Sequence, residues 1–543
     1  MTGQMKKKFL LGILIGSTVL TASGAYAQTA TTSDKWGSHI DLEGKAGTDR
    51  SLGETDLFVP LLQNDDTMLF TNLRARLDDS NSKEGNFGLG VRHMLESGWN
   101  VGGIAYFDRR KTEWDNYFNQ VTLGLEALST DWDIRGNAYL PQGRQLHSVD
   151  TLNDVSISGT SISFQAGEER SMSGFDAEIG WRLPVNKPEE PQQIRLFAGG
   201  YHFSADNVDD ITGPRFRGEL TFDEVSWLWT GSRFSLGSEW QHDDPRGSQG
   251  FITARLRIPL QFFGRTASRL TPMERRMTDP VIRDIDVVSQ SGAFGAPETV
   301  TETADGQTIT VLDSKTTTGA GLAAAVAAAG NNSTVILSGN YSTGTTTTTL
   351  QSGQTLMGAG TLSIRSPSGK TATLTTPGAT ISGTPTAANG TITMADNSTL
   401  TGMTVSDSDT TDNAIGIGIV SVDGARLINN TITVNQTGVG GVTAHAIRVV
   451  NSTNITISGN TLKSRTASNI SSTLNITNSS VTITDNTLDA TASAAGTVAH
   501  TLLSGANIQS GSTGNTVTNG SCVVNSVGTG GVVSYTNAAN CGP

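Results

Sequence analysis

Residues 174–184 alternate with period two. Phe175, Ala177, Ile179, Trp181 and Leu183 fall on one face, and Asp176, Glu178, Gly180 and Arg182 on the other. Segment 120–127 repeats the pattern with Val121, Leu123, Leu125 and Ala127 against Gln120, Thr122, Gly124 and Glu126. Segments 132–140 and 251–260 do the same, the latter with Ile252, Ala254, Leu256, Ile258 and Leu260 against Thr253, Arg255 and Arg257. Alternation sustained for about ten residues with charges on one face predicts transmembrane β-strands. A soluble sandwich also alternates, but it packs its apolar faces together and turns its charges outward. Aromatic residues at the strand ends favour the membrane solution.

The pattern predicts strands near 36–46, 55–63, 67–78, 84–95, 98–109, 116–128, 131–141, 174–184, 193–204, 213–223, 231–242 and 249–260. That even total suits a single-chain bacterial barrel. The links after the second, fourth and sixth strands are tight (Asn64-Asp65-Asp66, Glu96-Ser97, Ser129-Thr130), whereas the link after the seventh runs from about 142 to 173. Short turns belong on the periplasmic side and long loops outside, so the chain enters the barrel from the periplasm and ends its last strand there. Segment 160–166 also reads as a strand, but an odd spanning strand would break the parity, and it is placed in the long outer loop. Glu126, Arg135, Glu178, Arg217, Glu239, Arg255 and Arg257 are expected to line the lumen as a polar wall packed against the chain that follows, rather than as a transport route.

Beyond the barrel the composition changes. All eight tryptophans lie between Trp36 and Trp240, and Phe294 is the sole phenylalanine after Phe263. The second half is Thr, Ser, Asn and Gly with scattered Ile, Val and Leu. It repeats weakly: Leu427-Ile-Asn-Asn-Thr-Ile-Thr-Val434, Ile455-Thr-Ile-Ser-Gly-Asn-Thr-Leu462, Val481-Thr-Ile-Thr-Asp-Asn-Thr-Leu488 and Gly514-Asn-Thr-Val517 align on Asn430, Asn460, Asn486 and Asn515, with spacings of 30, 26 and 29 residues. Short strands separated by Asn or Gly corners, unable to bury an apolar face alone, must stack on one another. The prediction is a right-handed parallel β-helix. An alanine-rich helix over 319–330 would close its first coil. Cys522 and Cys541 read as a disulfide closing the other end in an oxidising compartment, the alternative being two unpaired buried thiols.

The N-terminus fits that compartment. Lys6-Lys7-Lys8, an apolar run from Phe9 to Leu20 and Ala25-Tyr26-Ala27 before Gln28 form a secretory signal peptide over 1–27, cleaved between Ala27 and Gln28. The net charge of −13 divides as +3 in 1–27, −12 in 28–289 and −4 in 290–543, which leaves no basic stripe and excludes nucleic acid as a partner. No Ser-His-Asp set, P-loop or zinc spacing is present, so neither enzymatic activity nor a cofactor is expected. Asp407, Asp409 and Asp412 form an acidic cluster read as a solvated turn, with calcium binding as the rival reading. His445 and His500 are isolated and read as surface or lumen-edge residues.

A family likeness sharpens this. Trp36-Gly-Ser-His-Ile-Asp-Leu-Glu43, Asp56-Leu-Phe-Val-Pro-Leu61, Leu69-Phe-Thr-Asn-Leu-Arg-Ala-Arg76, Asn86-Phe-Gly-Leu-Gly-Val-Arg92, Asp131-Trp-Asp-Ile-Arg-Gly-Asn-Ala-Tyr-Leu-Pro141 and Ser173-Gly-Phe-Asp-Ala-Glu-Ile-Gly-Trp181 resemble the β-domain of the intimin–invasin family, the inverse autotransporters. The resemblance covers roughly residues 36–285. It implies a twelve-stranded transmembrane barrel that carries a C-terminal passenger to the cell surface; with the repeats, the expectation is an all-β chain with the barrel over 28–264, a pore-threading linker over 265–290 and a surface-exposed β-helical passenger over 291–543. Implied partners are outer-membrane lipid, the general secretion and barrel-assembly machineries, and an unknown surface ligand, glycan or protein, on a host or bacterial cell. The expected location is the outer membrane of a Gram-negative bacterium, with the passenger on the cell surface as an adhesin. The family's usual passengers are immunoglobulin-like domains, and this one is not. The competing readings are a surface polysaccharide-processing β-helix enzyme and a porin-like channel with an appended domain.

Overall fold

Strands of 9 to 13 residues build the first half, as period-two patterning requires; in chain order they are His39–Gly47, Leu52–Gln63, Thr67–Asp78, Lys83–Leu95, Trp99–Lys111, Tyr117–Ser129, Trp132–Gln142, Ser173–Arg182, Gln192–Ser204, Ile211–Asp223, Arg233–Asp243 and Gly247–Pro259. All neighbouring pairs are antiparallel, and the first strand closes on the last with Asp41 opposite Arg257 and Glu43 opposite Arg255. The result is a closed 12-stranded barrel. The computed structural model describes residues 35–542 apart from 226–227, 261–269, 285, 386–389, 439–441, 468–469 and 493–496. The expected signal peptide with its cleavage site at Ala27 and Gln28, and residues 265–269 of the expected linker, lie outside the described residues.

The two barrel faces differ in chemistry. Leu125 is 73% exposed while Glu126 is 8% exposed, and Ile252, 70% exposed, stands beside the inward-facing Phe251, 4% exposed. Leu73, Phe87, Phe107, Ile134, Phe175, Trp181 and Trp240 join the same outward belt. So wide an apolar band suits lipid, not water. No helix among the described residues is long and apolar enough to cross a membrane.

The chain divides into two compact units. The first comprises the barrel together with the following segment as far as Val288. The second contains Ser289–Pro543, but also Leu146–Ser171 and Asp206–Val208, which lie between barrel strands in sequence. The strand-like stretch at 160–166 is there: Ser161–Gln165 is a strand, outside the barrel sheet.

The second unit is a parallel β-helix. One ladder stacks Leu356, Leu400, Leu427, Ile457 and Ile483 in register. A second stacks Ile381, Val405, Ile432, Leu462 and Leu488. A third, of 7 strands, includes Ile417, Ile447 and Leu474. These side chains are fully buried, each worth about 1.5–3 kcal/mol of transfer free energy. At one corner Asn430, Asn460, Asn486 and Asn515 form a buried ladder. Each side-chain amide donates to the next Oδ1 at 3.0 Å, and that Oδ1 also accepts the preceding asparagine's backbone N–H at 2.8–3.0 Å. Each follows a residue of positive φ: Asn429 at 55°, Gly459 at 68°, Asp485 at 55° and Gly514 at 78°. The Asn-or-Gly requirement read from the repeats is this left-handed corner.

The alanine-rich segment forms the helix Gly319–Ala328, capped by Thr318, whose hydroxyl accepts from the Gly321 backbone N–H. Leu322 and Val326 enter the β-helix core, and Gln354 donates to the carbonyls of Val326 and Gly330.

Candidate functional site

The lumen of the barrel is where its charges meet the chain that leaves it. Thr271 opens the helix Pro272–Arg276 with a capping box. Its hydroxyl accepts from Glu274 N, and its own N–H donates to the Glu274 carboxylate at 2.7 Å. This end is tied to the tight-turn end of the barrel. Trp36 Nε1 donates to Glu274 O at 2.8 Å, Arg276 to Ser129 O at 2.8 Å, and Arg275 to Pro188 O at 2.9 Å.

Past the C-cap Met277 and the turn through Thr278, the described residues up to Val288 pair with no strand, so their peptide groups need side-chain partners. The inward face supplies them. Arg92, fully buried, donates to the carbonyls of Met277 at 2.7 Å and Asp279 at 2.8 Å. Arg74 donates to Val281 O at 3.1 Å and Asn137 to Ile282 O at 3.2 Å, while Tyr139 Oη accepts from Asp284 N at 2.6 Å. Side-chain pairs reinforce this: Asp279 with Arg233 at 2.7 Å, Arg283 with Asp108 at 3.0 Å, and Asp286 with Arg50 at 2.7 Å. The segment leaves at the opposite end, where Arg110 donates to Val287 O at 2.6 Å and Met172 N to Val288 O at 2.9 Å. It therefore runs through the barrel from the end of the tight turns to the end of the long loop.

The seven lumen residues named from sequence all face inward. Glu126 pairs with Arg92 at 2.5 Å, and Glu178 lies 2.7 Å from Arg217 and 3.5 Å from Arg135. Glu239 pairs with Lys45 at 2.7 Å, Arg255 with Glu43 at 2.7 Å and Arg257 with Asp41 at 2.9 Å. Arg257 also reaches Thr278 Oγ1 at 3.4 Å. Arg217, Glu239 and Arg255 line a cavity of about 80 Å³ beside Val281–Arg283 rather than touching the segment. Sequence reasoning missed its main anchors, Arg92, Arg74, Arg50, Arg110 and Asp108. For four of them the signal was present: Arg74, Arg92, Asp108 and Arg110 have the inward parity of their strands, Arg92 beside the outward Val91 and Asp108 beside the outward Phe107, whereas Arg50 lies in the turn before the second strand.

The passenger's titratable residues depart from the sequence reading. Asp407 is buried, not solvated, and burial pushes its carboxyl up to about 7. It accepts from Ile415 N at 3.1 Å and Thr391 Oγ1 at 3.4 Å. The reason is register: the inward alternation of Met403 and Val405 continues through Asp407 and Asp409. Asp409 Oδ1 accepts from the backbone N–H of Thr411 and of Asp412, forming a turn; Asp412 itself is half-buried. Among the described residues no group of three or more His, Cys, Asp or Glu could hold a metal ion. His445 and His500 are likewise interior rather than surface residues. Both lie buried on strands of the third ladder, and burial pushes both down to about 4. His445 Nδ1 lies 2.6 Å from Ser472 Oγ, and the His500 ring packs edge-on against Tyr535 at 4.8 Å. Cys522 and Cys541 are joined in a disulfide with Cα atoms 5.5 Å apart, at the last coil.

Residues 21–213 match the family described as "Inverse autotransporter, beta-domain". The barrel is an inverse autotransporter β-domain. It is an outer-membrane barrel, and a parallel β-helix follows it in the chain. No curated protein matches the chain. Among solved structures, an outer-membrane channel from Pseudomonas putida F1 is similar at 9% identity and a TM-score of 0.31, over 44% of this chain and 100% of that one. Outer membrane phospholipase A from Escherichia coli is similar at 10% identity and a TM-score of 0.25, over 41% and 89%. The KdgM porin stands at 7% and 0.24, over 40% and 97%. No conclusion about this chain rests on likenesses so distant.

Proposed function

We propose that the barrel exports the β-helical passenger and holds it at the cell surface, where it acts as an adhesin. The observation that carries this reading is the segment from Pro272 to Val288, held by buried ion pairs and backbone hydrogen bonds along the lumen. A chain finishing its last strand on the periplasmic side reaches the exterior only by recrossing the membrane, and a charged segment recrosses through a polar lumen rather than lipid. Stacking of coils outside supplies free energy for onward movement without a nucleotide. Long polar β-helix faces of Thr, Ser and Asn suit adhesion to a glycan or protein surface.

The test compares cells displaying the full chain with cells carrying the barrel and lumen segment alone. An epitope tag after residue 543 is expected to be labelled on intact cells, and binding to host-cell or bacterial-cell layers is expected only with the passenger. Equal binding by both cell types overturns the adhesin reading; a tag reached only after permeabilisation overturns export.

A further inference from the structure

The barrel's long loop is built into the passenger. Residues 146–171 contribute four strands, none in the barrel sheet. Leu146–Ser148 and Gly167–Ser171 pair with each other, and Gly167–Ser171 pairs on its other edge with Ser289–Ala293, the first strand after the lumen segment. Asp154–Ser158 and Ser161–Gln165 form a hairpin whose open edge pairs with Glu298–Val300, placing Ile162 opposite Val300. Ile162 and Phe164 are fully buried with Val300, Ile309, Val311, Ile336, Met357, Ile364 and Leu374 in a core separate from the β-helix interior. Ile336 points away from its neighbours Val335 and Leu337, which face the interior. The first coils therefore carry apolar side chains on their outer flank, in a column that continues as Thr401, Ile428, Ser458 and Thr484 in later coils, and the loop helps to cover them.

We propose that the loop 146–171 is the folding template of the passenger: its two open strand edges and the Ile162–Phe164 surface capture residues 289–313 as they emerge and seed the first coil. The inference rests on the export reading above. A single coil cannot bury its own apolar face, so the first coil is the costly step of a stacked fold. An isolated two-stranded hairpin is marginal in water; the loop hairpin gains its third strand from the passenger and the passenger its first edge from the loop, a β-augmentation within one chain. Residues 289–300 directly follow the lumen segment, so they emerge first when the passenger leaves as a hairpin whose fixed arm is that segment and whose moving arm draws the rest of the chain through. Tethering of the loop to the barrel strands Trp132–Gln142 and Ser173–Arg182 gives it a high effective concentration at the exit.

The experiment uses the full chain in intact cells. One variant replaces residues 150–165 with a Gly-Ser linker; a milder one is Phe164→Asp. Barrel assembly is scored by heat-modifiable mobility, and passenger folding by protease resistance on the surface. The expected result is an assembled barrel whose passenger has lost surface protease resistance. In a second arm, Ile162→Cys with Val300→Cys, in a Cys522→Ser and Cys541→Ser background, reports the order of events in a pulse-chase. The cross-link is expected before a C-terminal tag becomes surface-accessible. A loop-replaced chain that acquires resistance as fast as wild type, or a cross-link that forms only after the tag is exposed, overturns the template. A wild-type tag that never reaches the surface overturns the export reading itself, a result distinguishable from both.

Discussion

Asp407 shows how one side chain fixes a pH dependence. Its carboxyl, pushed by burial from 3.8 up to about 7, is favoured as the neutral acid in the folded passenger. The stability this contributes is present below about pH 4 and is lost as pH rises through about 7. Asp407→Asn is therefore expected to stabilise the passenger at pH 8, by up to roughly 4 kcal/mol. It should also flatten that part of the pH profile in thermal melts of the detergent-solubilised chain; an unchanged profile contradicts the burial argument. His445 and His500 act with the opposite sign. Burial lowers both from 6.5 to about 4, so their contribution is present above about pH 6.5 and is lost as pH falls towards 4. Replacing either with Gln should reduce the acid-side loss. The lumen charges Glu126 and Arg255 were legible from strand parity. The burial of Asp407 was equally encoded, in the alternation after Met403, but Asp-Ser-Asp-Thr resembles a turn and local composition masked the register.

Among elements, barrel strand and β-helix coil are opposite solutions to one constraint, that buried backbone and side-chain polar groups find partners. The barrel closes its ladder on itself, and period two was legible because lipid on one side and charge on the other make the contrast extreme. The coils close nothing and rely on stacking, so their signal is long-range: the recurrence of Asn430, Asn460, Asn486 and Asn515. Asn460 accepts from the backbone and side-chain amides of Asn430 and donates to Leu427 O at 2.9 Å. Asn460→Ala removes these bonds and leaves the buried Asn430 N–H without its partner, an expected loss of about 3 kcal/mol. The check is the passenger's unfolding midpoint, with an exposed Thr487→Ala as the control near zero. What periodicity did not reveal is the pairing of Gly167–Ser171 with Ser289–Ala293: strands of 5 residues, polar on both faces, carry no pattern that names a partner more than a hundred residues away.

At the scale of the whole molecule, a barrel that holds its own following segment is expected to be closed to ions. Two cavities beside the segment, of about 80 and 70 Å³, have room for a few waters each. The full chain in a planar bilayer is expected to conduct little, and deletion of residues 271–288 to raise conductance several-fold; equal conductance with and without the segment contradicts a plugged lumen. The lumen segment runs from the tight-turn end of the barrel to the long-loop end, the path along which we propose that the passenger is exported. That direction is the central claim, and protease shaving of intact cells tests it most directly. Release of a soluble fragment containing the Cys522–Cys541 disulfide, with the barrel protected in the membrane, is the predicted result. A passenger wholly protected until the outer membrane is breached would contradict it.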